Sequence, residues 1–170
     1  MNFYKIESHS EEETKSIAQA IAKLLKTKDV IILSGELGAG KTKFTEGFLK
    51  NFGLENEISS PTFTIVNEYT KDDINIYHFD VYRLEDSSEF YAIGGEEYFE
   101  KGICLIEWGE IIQDALPKDY IKIEITKSDL NENYRNINIT TYGKKYDEIL
   151  DKLKNEFGGN SNENISNRNI

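Results

Sequence analysis

Cysteine and histidine are both scarce in this chain, and each scarcity closes off a class of explanation. Cys104 is the only cysteine, so an internal disulfide is excluded and the chain suits a reducing cytosol. Its setting, Ile103-Cys104-Leu105-Ile106, reads as a small buried hydrophobe rather than a nucleophile. His9 and His78 are the only histidines, too few beside one cysteine to build a zinc cluster. No apolar run approaches the roughly 20 residues that a membrane span needs. The N-terminus lacks a basic stretch followed by an apolar segment, so no secretory leader is visible. The expectation is a cytoplasmic protein without membrane association. Positive charge is short as well. A net charge of −11 argues against a large direct nucleic-acid interface, because neutralising phosphates takes a basic surface. Lys144 and Lys145 make a small basic spot that reads as a solvated turn. Service in a nucleic-acid pathway would therefore run through a protein partner.

What is present is more specific. At 170 residues, with 38% hydrophobic and 12% aromatic residues, the chain is expected to fold as one domain with a real core. The stretch Gly35-Glu36-Leu37-Gly38-Ala39-Gly40-Lys41-Thr42 directly follows the apolar run Val30-Ile31-Ile32-Leu33. Buried strand, glycine turn and helix start form the context of a phosphate-binding loop. Glycines occupy positions where the backbone must wrap an anion in conformations that side chains forbid. The helix beginning near Lys41 adds its positive end. Lys41 then supplies a mobile cation for β- and γ-phosphates, and the Thr42 hydroxyl is a ligand for Mg²⁺.

Around this loop the pattern is α/β. Ser10 with Glu13 forms a capping box, and Ile17, Ile21, Leu24 and Leu25 predict an amphipathic helix to about Lys26. A second helix carries Phe44, Phe48, Leu49 and Phe52 inward and ends at Gly53. Ser59-Ser60-Pro61-Thr62 is loop chemistry. Strands are expected over Phe63–Tyr69 and Ile74–Phe79, joined as a hairpin through Lys71-Asp72-Asp73. Glu85 to Lys101 is helical but broken at Gly94-Gly95, Ile103–Ile106 is a buried strand, and Ile111–Leu116 is helical up to Pro117. Tyr120–Thr126 and Tyr134–Thr141 alternate as a second hairpin, and Tyr146–Phe157 forms a last helix. The domain spans 1–157, and the glycine- and asparagine-rich tail, 158–170, is expected to be disordered. The fold class is a P-loop NTPase-like mixed β-sheet flanked by helices.

A phosphate-binding loop needs a carboxylate near its metal, usually at the C-terminal end of a neighbouring buried strand. Asp80 and Glu107 both have that placement; the plainer reading of each is a strand-end acid capping the next turn. Glu107 has the stronger apolar lead-in and is favoured for the Mg²⁺ shell. Asp80 is left to orient the attacking water or to serve behind the metal. Trp108, the sole tryptophan, is either a core or surface anchor or a flat face for adenine. Thr62 and Thr64 sit where a loop would reach the γ-phosphate.

Gly35–Thr42, Ser60-Pro61-Thr62-Phe63-Thr64, His78-Phe79-Asp80-Val81-Tyr82-Arg83 and Glu107-Trp108, in that order, resemble the TsaE family over roughly Ile6 to Glu156. The resemblance implies a bacterial Mg²⁺-dependent ATPase of the tRNA threonylcarbamoyladenosine pathway, working with TsaD and TsaB. Those partners place a threonylcarbamoyl group on the adenosine beside the anticodon, so tRNA is met indirectly through the complex. ATP hydrolysis would reset that complex between turnovers. The resemblance further implies that Gly38, Ala39, Gly40, Lys41, Thr42 and Lys43 hold the phosphates. It assigns Mg²⁺ to Thr42 and Glu107, hydrolysis to Asp80, proximity to the nucleotide to Trp108, and an approach to the base to Glu11 and Thr14.

Two enzymatic rivals share the loop. Thr126-Lys127-Ser128-Asp129 resembles a guanine-recognition motif, but Asp80-Val81-Tyr82-Arg83 lacks the glycine that senses a γ-phosphate in GTPases, and the segment reads as the opening of a hairpin connection. A small-molecule kinase would want a lid with arginines, and Arg83, Arg135 and Arg168 are the only ones here. A non-hydrolysing partner-binding module is the third alternative.

Overall fold

A computed structural model of the chain describes residues 1–58 and 64–158. The expected loop at Ser59–Thr62 and, apart from Gly158, the expected disordered tail lie outside these residues. In chain order the elements are β1 (Asn2–Ser8), α1 (Glu11–Lys23), β2 (Val30–Gly35), α2 (Lys41–Lys50), β3 (Val66–Lys71) and β4 (Ile74–Asp80). They continue with α3 (Ser87–Ala92), β5 (Ile103–Glu107), β6 (Tyr120–Lys127), β7 (Arg135–Tyr142) and α4 (Asp147–Phe157). Short 3₁₀ turns at Gly95–Glu100 and Gly109–Ala115 stand between them.

The strands make one seven-stranded sheet in the order β1-β7-β6-β2-β5-β4-β3. Its centre, β6-β2-β5-β4, is parallel. The margins are antiparallel: β7 and β1 extend one side, β3 the other. The mixed α/β architecture expected from two hairpins around buried strands is thus the one observed.

Both faces of the sheet are covered, and the two-residue period of the strands decides what points where. Ile31 and Leu33 of β2, Ile76 of β4 and Ile103 and Leu105 of β5 pack against α1, α2 and α4 through Ile17, Ile21, Phe44, Phe48, Leu150 and Leu153. Their alternates, Val30, Ile32, Phe79, Cys104 and Ile106, pack on the opposite face with Phe90 of α3, Phe99 and Ile112. Burying each such side chain is worth about 1.5–3 kcal/mol, so double-sided cover explains why the central strands read as continuous apolar runs. The same period puts His78 and Asp80 on the α2 face with Ile76, and Glu107 there with Leu105. Gly47 lets α1 and α2 cross closely, since a Cβ there would run into the backbone carbonyl of Lys15.

The structure departs from expectation at several boundaries. Strand β1 has no counterpart in the sequence reading. It pairs with β7 through Tyr4, Ile6 and Ser8 on its buried side, and Ser8 is accommodated by a hydroxyl contact of 2.7 Å with Thr14. Helix α1 stops at Lys23 rather than Lys26, because Leu24 and Leu25 turn out to bond the carbonyls of Ile21 and Ala22. Strand β3 starts at Val66, after Thr64 and Ile65 (the expected first residue, Phe63, lies outside the described residues), and runs on to Lys71, which pairs with Ile74 across a tight turn. Asp72 adopts a left-handed φ of 49° there. The short helix after Trp108 is a 3₁₀ turn. Lys145 is not simply solvated: its Nζ pairs with the buried Asp29 at 3.1 Å.

Candidate functional site

Four parallel strands end together beside the Gly35–Thr42 loop, and the loop's local chemistry follows from its residues. Glu36 O accepts from Ala39 N–H at 3.0 Å, closing a turn. Gly38 and Gly40 then take φ of 79° and 112°, values that a side chain rarely tolerates. A Cβ at Gly40 would meet no atom of the described residues within 4 Å, so that side of the loop is open among them. Helix α2 begins immediately at Lys41 and carries Lys41, Thr42 and Lys43 in its first turn. Gly40 caps it without a side-chain bond. The first N–H groups of the helix are thereby left for an anion rather than for a serine or aspartate cap.

The three residues that open α2 face different surroundings. Lys41 turns toward the strand ends, where its Nζ lies 3.7 Å from Glu107 Oε1 and 5.3 Å above the Trp108 ring. Thr42 is exposed. Lys43 turns the other way, toward Glu46 at 3.5 Å and Glu11 at 4.0 Å.

Glu107 is the electrostatic centre of the site. It ends β5 in direct register with Leu33 on β2 and with Asp80 on β4. His78 Nε2–H donates to its other oxygen, Oε2, at 2.9 Å. Burial pushes the Glu107 carboxyl upward, but the His78 hydrogen bond and charge, followed by Lys41, outweigh it and hold the group below the ordinary carboxylate range. The carboxylate is therefore ionised at neutral pH, with one oxygen fixed by histidine and the other facing the lysine. Asp80 is its neighbour across the β4–β5 pair. Its Oδ1 accepts from Tyr82 N–H at 3.1 Å and its own N–H donates to Ile65 O at 2.9 Å. The exposed Thr64 stands just before that contact, bonded to Asn67 at 3.1 Å; Thr62 lies outside the described residues.

Trp108 is 43% exposed, which removes it from the core. It holds a left-handed φ of 64°, a conformation that costs a non-glycine residue of order 1–3 kcal/mol and that clusters at functional sites. The ring rests on Tyr82, 4.9 Å between centroids, and borders a cleft of about 380 Å³ with Lys41, Gly35 and Glu36. A second cleft, about 400 Å³, opens on the other flank of the loop between Gly38, Gly40, Lys43, Glu11 and Thr14. No residue lines both, so Trp108 and the Glu11–Thr14 pair border different clefts. Thr14 is buried and its hydroxyl is engaged by Ser8, so it offers the cleft a wall rather than a free hydrogen bond. The segment Thr126–Asp129 ends β6 and opens the connection to β7, as a hairpin reading expects.

Two residues to which the sequence reading gave no role belong to this region, although His78 stands in one of the motifs that carry the resemblance. His78 reaches Glu107 only because β4 and β5 are parallel neighbours. Arg135 opens β7 yet bonds the loop, Nε–H to Ala39 O at 2.8 Å. Neither pairing is local in sequence, and no spacing rule finds it.

Comparison with known proteins agrees with the geometry. Residues 8–137 match the family model described as threonylcarbamoyl adenosine biosynthesis protein TsaE. The tRNA threonylcarbamoyladenosine biosynthesis protein TsaE of Bacillus subtilis is 41% identical, covering 92% of this chain and 93% of that protein. The Haemophilus influenzae protein of the same name is 42% identical over 76% of this chain and 84% of its own length. A crystal structure of Bacillus subtilis YdiB superposes with a TM-score of 0.76 at 36% identity, over 91% of this chain and 96% of that one.

Proposed function

The chain belongs to the TsaE family, and on that premise we propose that it is a Mg²⁺-dependent ATPase serving the formation of threonylcarbamoyladenosine in tRNA. The observation that carries the reading is the contact between Lys41 and Glu107 at the mouth of a loop whose open face suits phosphate. The two side chains answer one another's charge at 3.7 Å. A triphosphate laid along Gly38–Lys43 gives Lys41 a stronger anionic partner at the β- and γ-positions and frees the Glu107 oxygen that faced it.

Thr42 at the start of α2 and the strand-end acids Glu107 and Asp80 offer only oxygen, the ligand type of a hard cation. Thr42 and Glu107 would hold Mg²⁺, which supplies charge neutralisation at the phosphate oxygens. His78 keeps the Glu107 carboxylate turned for that task. Asp80, one strand away, has Oδ1 tied to its own turn and directs its remaining oxygen to an attacking water. The water oxygen bonds to the γ-phosphorus as its proton passes to the facing Asp80 oxygen, the bond from that phosphorus to the β–γ bridging oxygen breaks, and ADP and inorganic phosphate leave. Trp108 covers the Lys41 end of the nucleotide, and the base enters the cleft beside Glu11 and Thr14. An acidic chain meets tRNA through partners, TsaD and TsaB, and the hydrolysis resets their complex between turnovers.

One observation favours a guanine nucleotide as the second reading. Lys127, within the Thr126–Asp129 segment, places Nζ 3.8 Å from where a Cβ on Gly38 would stand, beside the loop. Competition of ATP and GTP against a fluorescent nucleotide, with phosphate release measured alongside, decides between them. ATP is expected to compete more tightly and to yield phosphate. Tighter GTP competition would replace this reading with a GTPase, and tight ATP binding without phosphate release would leave a binding module.

A further inference from the structure

Arg135 spends its guanidinium on main-chain carbonyls from two separate segments. Nε–H donates to Ala39 O at 2.8 Å and Nη2–H to Gly38 O at 3.5 Å. Nη1–H donates to Glu132 O at 2.6 Å and Tyr134 O at 2.8 Å. The first two acceptors lie in the phosphate-binding loop and the last two in the connection between β6 and β7. An arginine that joins two loops through their backbones is indifferent to the side chains of either, and it fixes the direction of peptide planes.

That direction matters because a trans peptide unit is planar, with C=O and N–H pointing to opposite sides. Holding Ala39 O toward Arg135 turns the N–H of Gly40 the other way. Gly40 is also the residue with the most unusual φ of the loop, 112°, and with open space on its Cβ side. A glycine-rich stretch has many accessible conformations, so an anion cradle made from it loses entropy on binding unless something pre-orders it.

Resting on the nucleotide reading above, we propose that Arg135 is a positioning residue for the phosphate-binding loop. It clamps the Gly38 and Ala39 carbonyls so that the Ala39 N–H stays in its turn bond to Glu36 O and the Gly40 N–H is set for a polyphosphate before it arrives. The planar fork of guanidinium is required, because a lysine ammonium is a point charge that does not span two carbonyls on one segment and two on another. The clamp also ties loop order to the 128–134 connection, so a change in that connection is felt at the phosphates.

The rival explanation is that Arg135, which also lines the cleft beside Lys43, contributes only positive charge or touches the base. Calorimetric titration of the full chain with inorganic tripolyphosphate and with ATP separates the cases, using Arg135→Lys and Arg135→Ala and recording thermal midpoints without ligand. The expected result is a loss of about tenfold or more in affinity for both ligands in both variants, with midpoints close to the parent. Retention of parental affinity by Arg135→Lys would reduce the residue to a charge and overturn the proposal. A loss confined to ATP would make it a base contact and overturn it equally. Unfolding of both variants without ligand would make Arg135 a residue of the fold rather than of the loop. If the parent itself bound neither ligand, the nucleotide reading would fall and this inference with it.

Discussion

Asp80→Ala is expected to bind ATP and Mg²⁺ nearly as the parent does and to hydrolyse ATP roughly 10²–10⁴-fold more slowly, the usual contribution of a positioned base. The expectation follows from how the two acids are held. Glu107 is pinned between His78 and Lys41, beside the loop and ionised, whereas Asp80 spends one oxygen on its own turn. Glu107→Ala is accordingly expected to raise the Mg²⁺ concentration needed for hydrolysis and to weaken the metal-dependent part of ATP binding. Metal titrations of both variants, read beside nucleotide affinity and single-turnover rates, test the division. A metal dependence that moved for Asp80→Ala and stayed for Glu107→Ala would exchange the two roles, and unchanged rates in both would remove the carboxylates from the mechanism.

Lys41→Ala is expected to weaken ATP binding by at least about tenfold while leaving the fold in place. A hydrogen bond to a charged group is worth about 1.5–3 kcal/mol, and Lys41 is the loop residue whose cation faces the strand ends. Its removal leaves Glu107 still bonded to His78, so no buried charge is stranded and the thermal midpoint without nucleotide should move little. Equilibrium binding with ATP and a melting curve on the same preparation check both halves. A lowered midpoint with unchanged affinity would make the lysine structural and the loop assignment wrong.

How much of this was legible depended on whether the signal was local. The loop Gly35–Thr42 announces itself because glycines, lysine and threonine sit at fixed offsets after an apolar strand. The central strands were readable because burial on both faces leaves no polar residue in Val30–Leu33 or Ile103–Ile106. Asp80 and Glu107 were found as acids at strand ends, but that they are register partners required the parallel pairing itself. Strand β1 escaped because its inward set includes Ser8, whose burial depends on a hydroxyl partner from α1. The end of α1 was overrun because Leu24 and Leu25 keep the apolar period after the helix has stopped. Trp108 left two readings open in the sequence, and only its exposure and its place above Lys41 took it out of the core. His78 and Arg135 were invisible as site residues, since each reaches its partner across the fold, Arg135 over 96 positions of chain to Ala39.

The most direct test is to reconstitute the modification with TsaD, TsaB, tRNA and a threonylcarbamoyl donor, and to count threonylcarbamoyladenosines formed per TsaD–TsaB complex. With this chain and ATP the count should rise well above one. With Asp80→Ala, or with a non-hydrolysable ATP analogue, it should stop near one per complex. A count that climbs equally without ATP hydrolysis would contradict an ATPase that resets the complex.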